Sequence, residues 1–180
     1  MEGIFQASRM KINNSSIPLT KSIGWGLIGG LAGTLVMDLV LMGLLAAGGL
    51  PPLTCFTIVG DTVAGLFSMQ SGAATGSIPL GIAAHYLLGP LIGATFGMMI
   101  SKFRWLRIDS PKKMILCAVV FVEILSQPLL ALAPILLKMM AAETRLWFGG
   151  SLVMHLVWGL ILGAVMSRGL RLGDALKGIG

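Results

Sequence analysis

Four long runs of apolar residues constrain this chain more than any other feature of its sequence. The runs cover roughly residues 24–48, 78–100, 114–137 and 147–167. Each run reaches the length of about 20 residues that a helix needs to cross a hydrocarbon core of about 30 Å. Only 11% of the residues are charged, against about 25% in a soluble domain. The sequence therefore predicts one integral membrane domain over residues 1–180, an all-α bundle of four transmembrane helices embedded in the lipid bilayer.

The distribution of basic residues predicts the orientation of this bundle, because cytoplasmic loops are enriched in Lys and Arg. Of the 13 basic residues, all but Lys138 and Arg145 lie in the N-terminal segment, the loop at 101–113 or the C-terminal tail. These are Arg9, Lys11, Lys21, Lys102, Arg104, Arg107, Lys112, Lys113, Arg168, Arg171 and Lys177. Both termini are therefore predicted to be cytoplasmic. The net charge of +6 then indicates contact with lipid headgroups and not with nucleic acid.

The long outer loop, at about 49–77, has a helix of its own. It opens on Gly-Gly-Leu-Pro-Pro, which ends the first transmembrane helix. Within it, the segment Thr57–Met69 predicts a short amphipathic helix. Such a helix either lies on the outer leaflet or re-enters the bundle and lines a site.

A weak internal repeat divides the chain into two helical hairpins. Residues 85–94 and 155–164 align without gaps and share the pattern His-x3-Gly-x3-Gly-Ala. The first helix of each hairpin carries one carboxylate, Asp38 or Glu123. Because two helices per repeat preserve orientation, the halves are expected to be related by an axis along the membrane normal.

The four ionisable residues of the runs, Asp38, His85, Glu123 and His155, share helix faces with small residues. Residues four apart lie on one face of a helix, and small residues let membrane helices approach closely. These four side chains are therefore expected to face the bundle interior, with Asp38, His85 and His155 in one layer. The same faces carry Thr34 beside Asp38 and Gln127 beside Glu123. Pro128 and Pro134 are expected to bend the third helix and to free backbone carbonyls.

Several functions fit this interior. In the simplest interpretation, the chain is an accessory or assembly subunit of a larger membrane complex or a homo-oligomer. Asp38 then bonds a histidine and fixes the helix packing. The buried chain of polar groups also fits a proton or cation relay. Alternatively, His85 and His155 bind haem b between facing helices. They also fit a transition-metal site with Asp38 and Glu123.

Other chemistry finds little support in the sequence. The methionines Met37, Met154 and Met166 add soft ligands suited to copper, although methionine usually fills gaps between helices. No GxSxG, phosphate-binding loop or HExxH motif occurs, so we expect no enzyme. Cys55 and Cys117 fall near opposite membrane faces, which excludes a disulfide between them.

The pattern resembles the YagU-like family of small prokaryotic inner-membrane proteins. The resemblance is carried by the segment Gly29–Asp38, by Gly-Leu-Pro-Pro at 49–52, and by the two His-x3-Gly-x3-Gly segments. It implies a four-helix protein of the prokaryotic inner membrane with a shared Asp/His interior, and it implies no particular activity.

Overall fold

The computed structural model describes residues 18–67, 74–103 and 110–177, and every regular element in these ranges is a helix. The helices are α1 (Leu19–Ala47), α2 (Thr54–Leu66), α3 (Ala74–Lys102), α4 (Pro111–Leu130), α5 (Leu132–Leu136) and α6 (Ala141–Lys177). Four spans are long and apolar enough to cross a membrane, namely Leu19–Ala47, Ser77–Lys102, Pro111–Leu136 and Ala141–Arg171. The predicted four-helix membrane fold is thereby confirmed, together with a helix in the first loop.

Part of the predicted charge pattern lies outside the described residues. These residues are Arg9, Lys11, Arg104 and Arg107, together with Met69 of the predicted outer-loop helix and the side chain of Lys177. In the described ranges, Lys102, Lys113 and Arg171 lie at the end of the bundle where α1 begins and α6 finishes. We call this the termini end, and the opposite end, which carries α2 and α5, the α2 end.

Local sequence signals set several helix boundaries. Helix α1 stops at Gly48 and Gly49, and Gly49 has a φ of 73°, which favours glycine because a Cβ clashes there. Helix α4 begins after Ser110, whose side chain accepts the Lys113 N–H at 3.3 Å. Pro111 occupies the first turn, where its missing N–H leaves no partner unsatisfied.

Helices α4 and α5 form one membrane span that is interrupted at Ala131. Pro134 has no N–H, so the carbonyl of Leu130, four residues earlier, loses its helical donor. The indole N–H of Trp147 on α6 donates to this carbonyl at 2.9 Å. Pro134 therefore frees a backbone carbonyl, as expected. The Trp147 side chain of the neighbouring helix donates a hydrogen bond to that carbonyl.

The two predicted hairpins are the most extensive helix pairs, α1 with α3 and α4 with α6, and α1 also packs along α6. Glycines bring α1 and α3 so close that added Cβ atoms would collide with the opposite backbone. This holds for Gly26 against Gly93, for Gly30 against Gly89, and for Gly97 against Ser22. In the second hairpin, Gly159 meets Val119 and Gly163 meets Ile115. The glycine stripes are thus packing surfaces, as small residues between membrane helices usually are.

Many large apolar side chains point outward in this bundle, and several polar ones point inward. Leu31, Leu35 and Leu39 of α1 are exposed, and so are Leu116 and Ile124 of α4. Buried polar residues include Ser22, Thr34, Asp38 and Ser126. A soluble protein has the reverse arrangement, so this distribution agrees with a lipid-facing surface.

Helix α2 packs along the first turns of α3. Gly60 contacts the backbone of Ser77, and Gly81 contacts that of Phe56, so the two helices run antiparallel. The ring of Phe56 reaches His85 edge-on, with centroids 5.3 Å apart. His85 lies about 12 Å inside the span that begins at Ser77, at a rise of about 1.5 Å per residue. Of the two interpretations of this segment, the packing favours a helix that lines a site.

Candidate functional site

His85 on α3 is paired with Asp38 on α1. The distance between His85 Nδ1 and Asp38 Oδ1 is 3.0 Å, and Asp38 is only 3% exposed. An ionised carboxylate only accepts hydrogen bonds, so the imidazole Nδ1–H donates to it. The thiol of Cys55 and the ring of Phe56, both on α2, also contact His85.

His155 on α6 is held in a similar way by Ser126 on α4. Its Nδ1 lies 2.8 Å from the Ser126 hydroxyl, which is also 3.3 Å from the Glu123 carbonyl oxygen. A serine hydroxyl both donates and accepts hydrogen bonds, so it can hold the His155 ring in either neutral tautomer. Trp158 lies beneath it, with ring centroids 5.9 Å apart.

Ser126 is the functional residue that the sequence did not reveal. No periodicity within one helix links it to a histidine, because the pair forms between α4 and α6. Ser126 holds His155 much as Asp38 holds His85.

The two carboxylates do not occupy equivalent positions. Gly30 faces Gly89 in the first hairpin, and Val119 faces Gly159 in the second. Thr34 follows Gly30 by four residues, and Glu123 follows Val119 by four residues. Glu123 is therefore the equivalent of Thr34 in the second hairpin. Thr34 itself bonds the Gly30 carbonyl at 2.9 Å, and Glu123 lies one turn nearer the termini end than Ser126.

Both histidines line a single cavity of about 590 Å³ at the α2 end, which we call the histidine cavity. Four of its other lining residues carry sulfur. Leucines of α1 and α6, together with Trp147, form apolar walls. The sulfur-bearing residues are Met37, Cys55, Met139 and Met154. Helix α2 contributes Thr54, Cys55, Ile58 and Val59, so the first loop completes the site. A volume of this size suits a small ligand.

The bundle is closed between the histidine layer and the termini end. Trp158 is 4% exposed, packs on Gly33 and donates its indole N–H to the Gly30 carbonyl at 3.1 Å. Below it, Phe96 and Leu162 are fully buried. The cavity therefore ends at the layer that holds Asp38 and the two histidines.

Glu123 and Gln127 lie outside this cavity. The Gln127 amide donates to Glu123 Oε2 at 3.2 Å, whereas Glu123 Oε1 is buried without a hydrogen-bond partner among the described residues. The four residues considered as metal ligands thus belong to three separate pairs, Asp38 with His85, His155 with Ser126, and Glu123 with Gln127. In the described part of the chain, no three His, Cys, Asp or Glu side chains come together in a way that could hold a metal ion.

The glycines next to the histidines do not provide space for a haem. The space beside Gly89 is occupied by the Thr34 side chain, and the space beside Gly93 is occupied by the backbone of α1. The space beside the glycines that follow His155 is occupied by Val119 and Ile115 of α4. A macrocycle ligated by the two imidazoles would have to lie on the side of the histidine cavity.

Comparison with known proteins adds no further assignment. No protein-family model, curated protein or solved structure matches this chain. Function must therefore be inferred from the site itself.

Proposed function

We propose that this chain is a multi-pass inner-membrane protein that binds a small ligand in the histidine cavity. The observation that supports this proposal is the shared arrangement of the two imidazoles. Each ring lines the same cavity, and each Nδ1 is held by a side chain of the neighbouring helix. Ligand-binding histidines are typically oriented in this manner, with the second ring nitrogen bonded to a carboxylate or another acceptor.

The proposal includes an orientation, with both termini in the cytoplasm and the cavity facing the opposite side. Its support is the excess of Lys and Arg at the termini end and in the segments that continue from it. The α2 end carries only Lys138 and Arg145. The ligand would then enter from the extracytoplasmic side. The resemblance to the YagU-like family agrees with this proposal and stays a prediction.

Binding from one side fits the packing better than a relay through the membrane. A proton or cation relay needs a polar path from the histidine layer to the termini end. Trp158, Phe96 and Leu162 fill that half of the bundle. In this conformation, the polar groups form a dead-ended site, and a relay would require the helices to rearrange.

Native purification tests the proposal. The full chain is extracted without chelators and examined by elemental analysis, optical spectroscopy and small-molecule mass spectrometry. We expect a stoichiometric ligand that is reduced about tenfold or more in His85→Gln and His155→Gln. Met166→Leu, which changes a buried side chain outside the cavity, is the matched control. If the two histidine variants retain as much ligand as this control, the proposal fails.

An accessory role in a larger complex is the second candidate, and Glu123 is the observation that favours it. Its carboxylate sits in the middle of a membrane span, it is only partly buried by the bundle, and its side-chain partner is Gln127. A polar group on a partner helix or a second copy would lower the cost of this placement. We expect a co-purifying partner to be lost in Glu123→Leu and retained in Glu143→Gln. Equal recovery from both variants would contradict this candidate.

A further inference from the structure

Soft donor atoms are concentrated in the histidine cavity. Met37, Met139 and Met154, which carry thioethers, line it together with Cys55 and the two histidines. Cys55 and His85 are in direct side-chain contact. Met37 and Met154 immediately neighbour Asp38 and His155 in the sequence, and both are less than a tenth exposed.

We propose that the histidine cavity binds a soft monovalent metal ion, Cu(I), with Cys55 and His85 as the central ligands. The thioethers of Met37 and Met154 complete the donor set. This inference rests on the proposed ligand-binding function and names the chemical class of the ligand. Asp38 acts behind His85 as its hydrogen-bond acceptor and positions the ring.

The chemistry of the donors selects Cu(I) over other biological metal ions. Thiol and thioether sulfur are ligands that favour Cu(I), whereas Mg²⁺, Ca²⁺ and Mn²⁺ favour carboxylate and carbonyl oxygens. A structural Zn²⁺ site usually has four Cys or His ligands, or carboxylates in their place. No three such residues come together in the described ranges. Thioethers are neutral, so a site with one ionisable thiol matches a single positive charge.

The carboxylate of Glu143 also lines the cavity, but it is already engaged. Its Oε2 accepts the backbone N–H of Met140 at 2.8 Å, as a cap at the start of α6. The Glu143 carboxylate therefore caps α6. It does not turn the cavity into an oxygen-rich site for a hard cation.

Packing alone is the competing explanation for the methionines, because methionine fills irregular gaps. Met166 illustrates that role, since it is fully buried in the core between the helices. Met37, Met139 and Met154 differ because each borders the open cavity that contains both imidazoles. Met166 is for this reason a matched control for their sulfur chemistry.

Competition titration with Cu(I) tests the inference. The full-length protein in detergent is titrated anaerobically against a chromophoric Cu(I) chelator, with a reductant present throughout. We expect one Cu(I) per chain, an affinity about tenfold or more lower in Cys55→Ser, and a smaller loss in Met154→Leu. Cys117→Ser and Met166→Leu should stay within about twofold of the wild type, because both lie outside the cavity.

The outcomes separate this inference from the proposed function. An unchanged Cu(I) affinity in Cys55→Ser, or an equal loss in Cys117→Ser, overturns the copper site. If the native preparation then carries a different ligand that depends on both histidines, the proposed function stands and only the copper inference fails. If neither Cu(I) nor any native ligand is bound, both fail.

Discussion

Replacing Gly30 with alanine tests whether the glycine contacts hold the bundle together. A Cβ at this position would collide with the carbonyl oxygen of Gly89 and lie 3.0 Å from the Cα of Pro90. Both obstacles are backbone atoms, which cannot rotate away as a side chain could. Helices α1 and α3 must therefore move apart to admit the methyl group.

The expected loss of stability follows from the fact that backbone atoms block the added methyl group. Overpacking a well-packed contact costs about 1–3 kcal/mol, and a rigid backbone obstacle places Gly30→Ala near the upper value. The better helix propensity of alanine offsets about 1 kcal/mol. We therefore expect a net destabilisation of about 2 kcal/mol. The matched control is Gly43→Ala, because nothing lies within 4 Å of a Cβ there, and we expect it to be neutral or slightly stabilising.

Reversible unfolding with SDS in mixed micelles provides the measurement. Far-UV circular dichroism and tryptophan fluorescence report the midpoint of each variant against the wild type. If Gly30→Ala and Gly43→Ala differ by less than about 0.5 kcal/mol, close glycine packing between α1 and α3 does not stabilise this protein and the reasoning is refuted.

Three further predictions concern the α2 end. An impermeant maleimide applied to intact cells should label Cys55, which lines the cavity, and spare Cys117; the reverse pattern would show that the proposed orientation is inverted. Trp147→Phe should lower the free energy of unfolding by about 1–2 kcal/mol in the SDS titration, because the Leu130 carbonyl loses its donor; an unchanged midpoint contradicts this. Asp38→Asn should alter stability by about 1 kcal/mol or less yet lower the amount of bound ligand about tenfold; full retention of the ligand would show that the carboxylate does not position His85.

The sequence was sufficient to predict the helices and a bond between Asp38 and one of the two histidines, which the structure identifies as His85. Runs of apolar residues have a length that only a membrane span explains. Spacing of four residues placed Asp38, His85 and the glycines on inward faces, since the helix repeat is local and fixed. The hydrogen bond between Asp38 and His85 then follows from the cost of leaving a charge unpaired in the interior.

The pairing between helices could not be predicted with the same certainty. Matching Glu123 with Asp38 relied on chemical type, whereas the observed contacts give Ser126 the role of Asp38. That choice depends on the register of α4 against α6, which is set by the packing of Val119 on Gly159 and not by periodicity within either helix. The packing of α2 against α3 likewise depends on contacts that are distant in sequence.

The place where the glycine stripes stop explains why the cavity lies where it does. On α1 the stripe changes from Gly26 and Gly30 to Thr34 and Asp38, and close contact between α1 and α3 backbones ends with Gly30. Toward the α2 end, added Cβ atoms at Gly43 of α1 and at Gly149 of α6 would meet nothing within 4 Å.

Helices that are held together by close glycine contacts at one end and make no such contacts at the other leave a gap between them. Helix α2 and the α5 region line this gap without filling it. Each histidine precedes the first glycine of its own stripe by four residues, so the imidazoles lie at the boundary between the closed and the open half. The same pattern that fixes the packing therefore sets the depth of the site, and moving a stripe by one turn should move the cavity floor by about 5.4 Å.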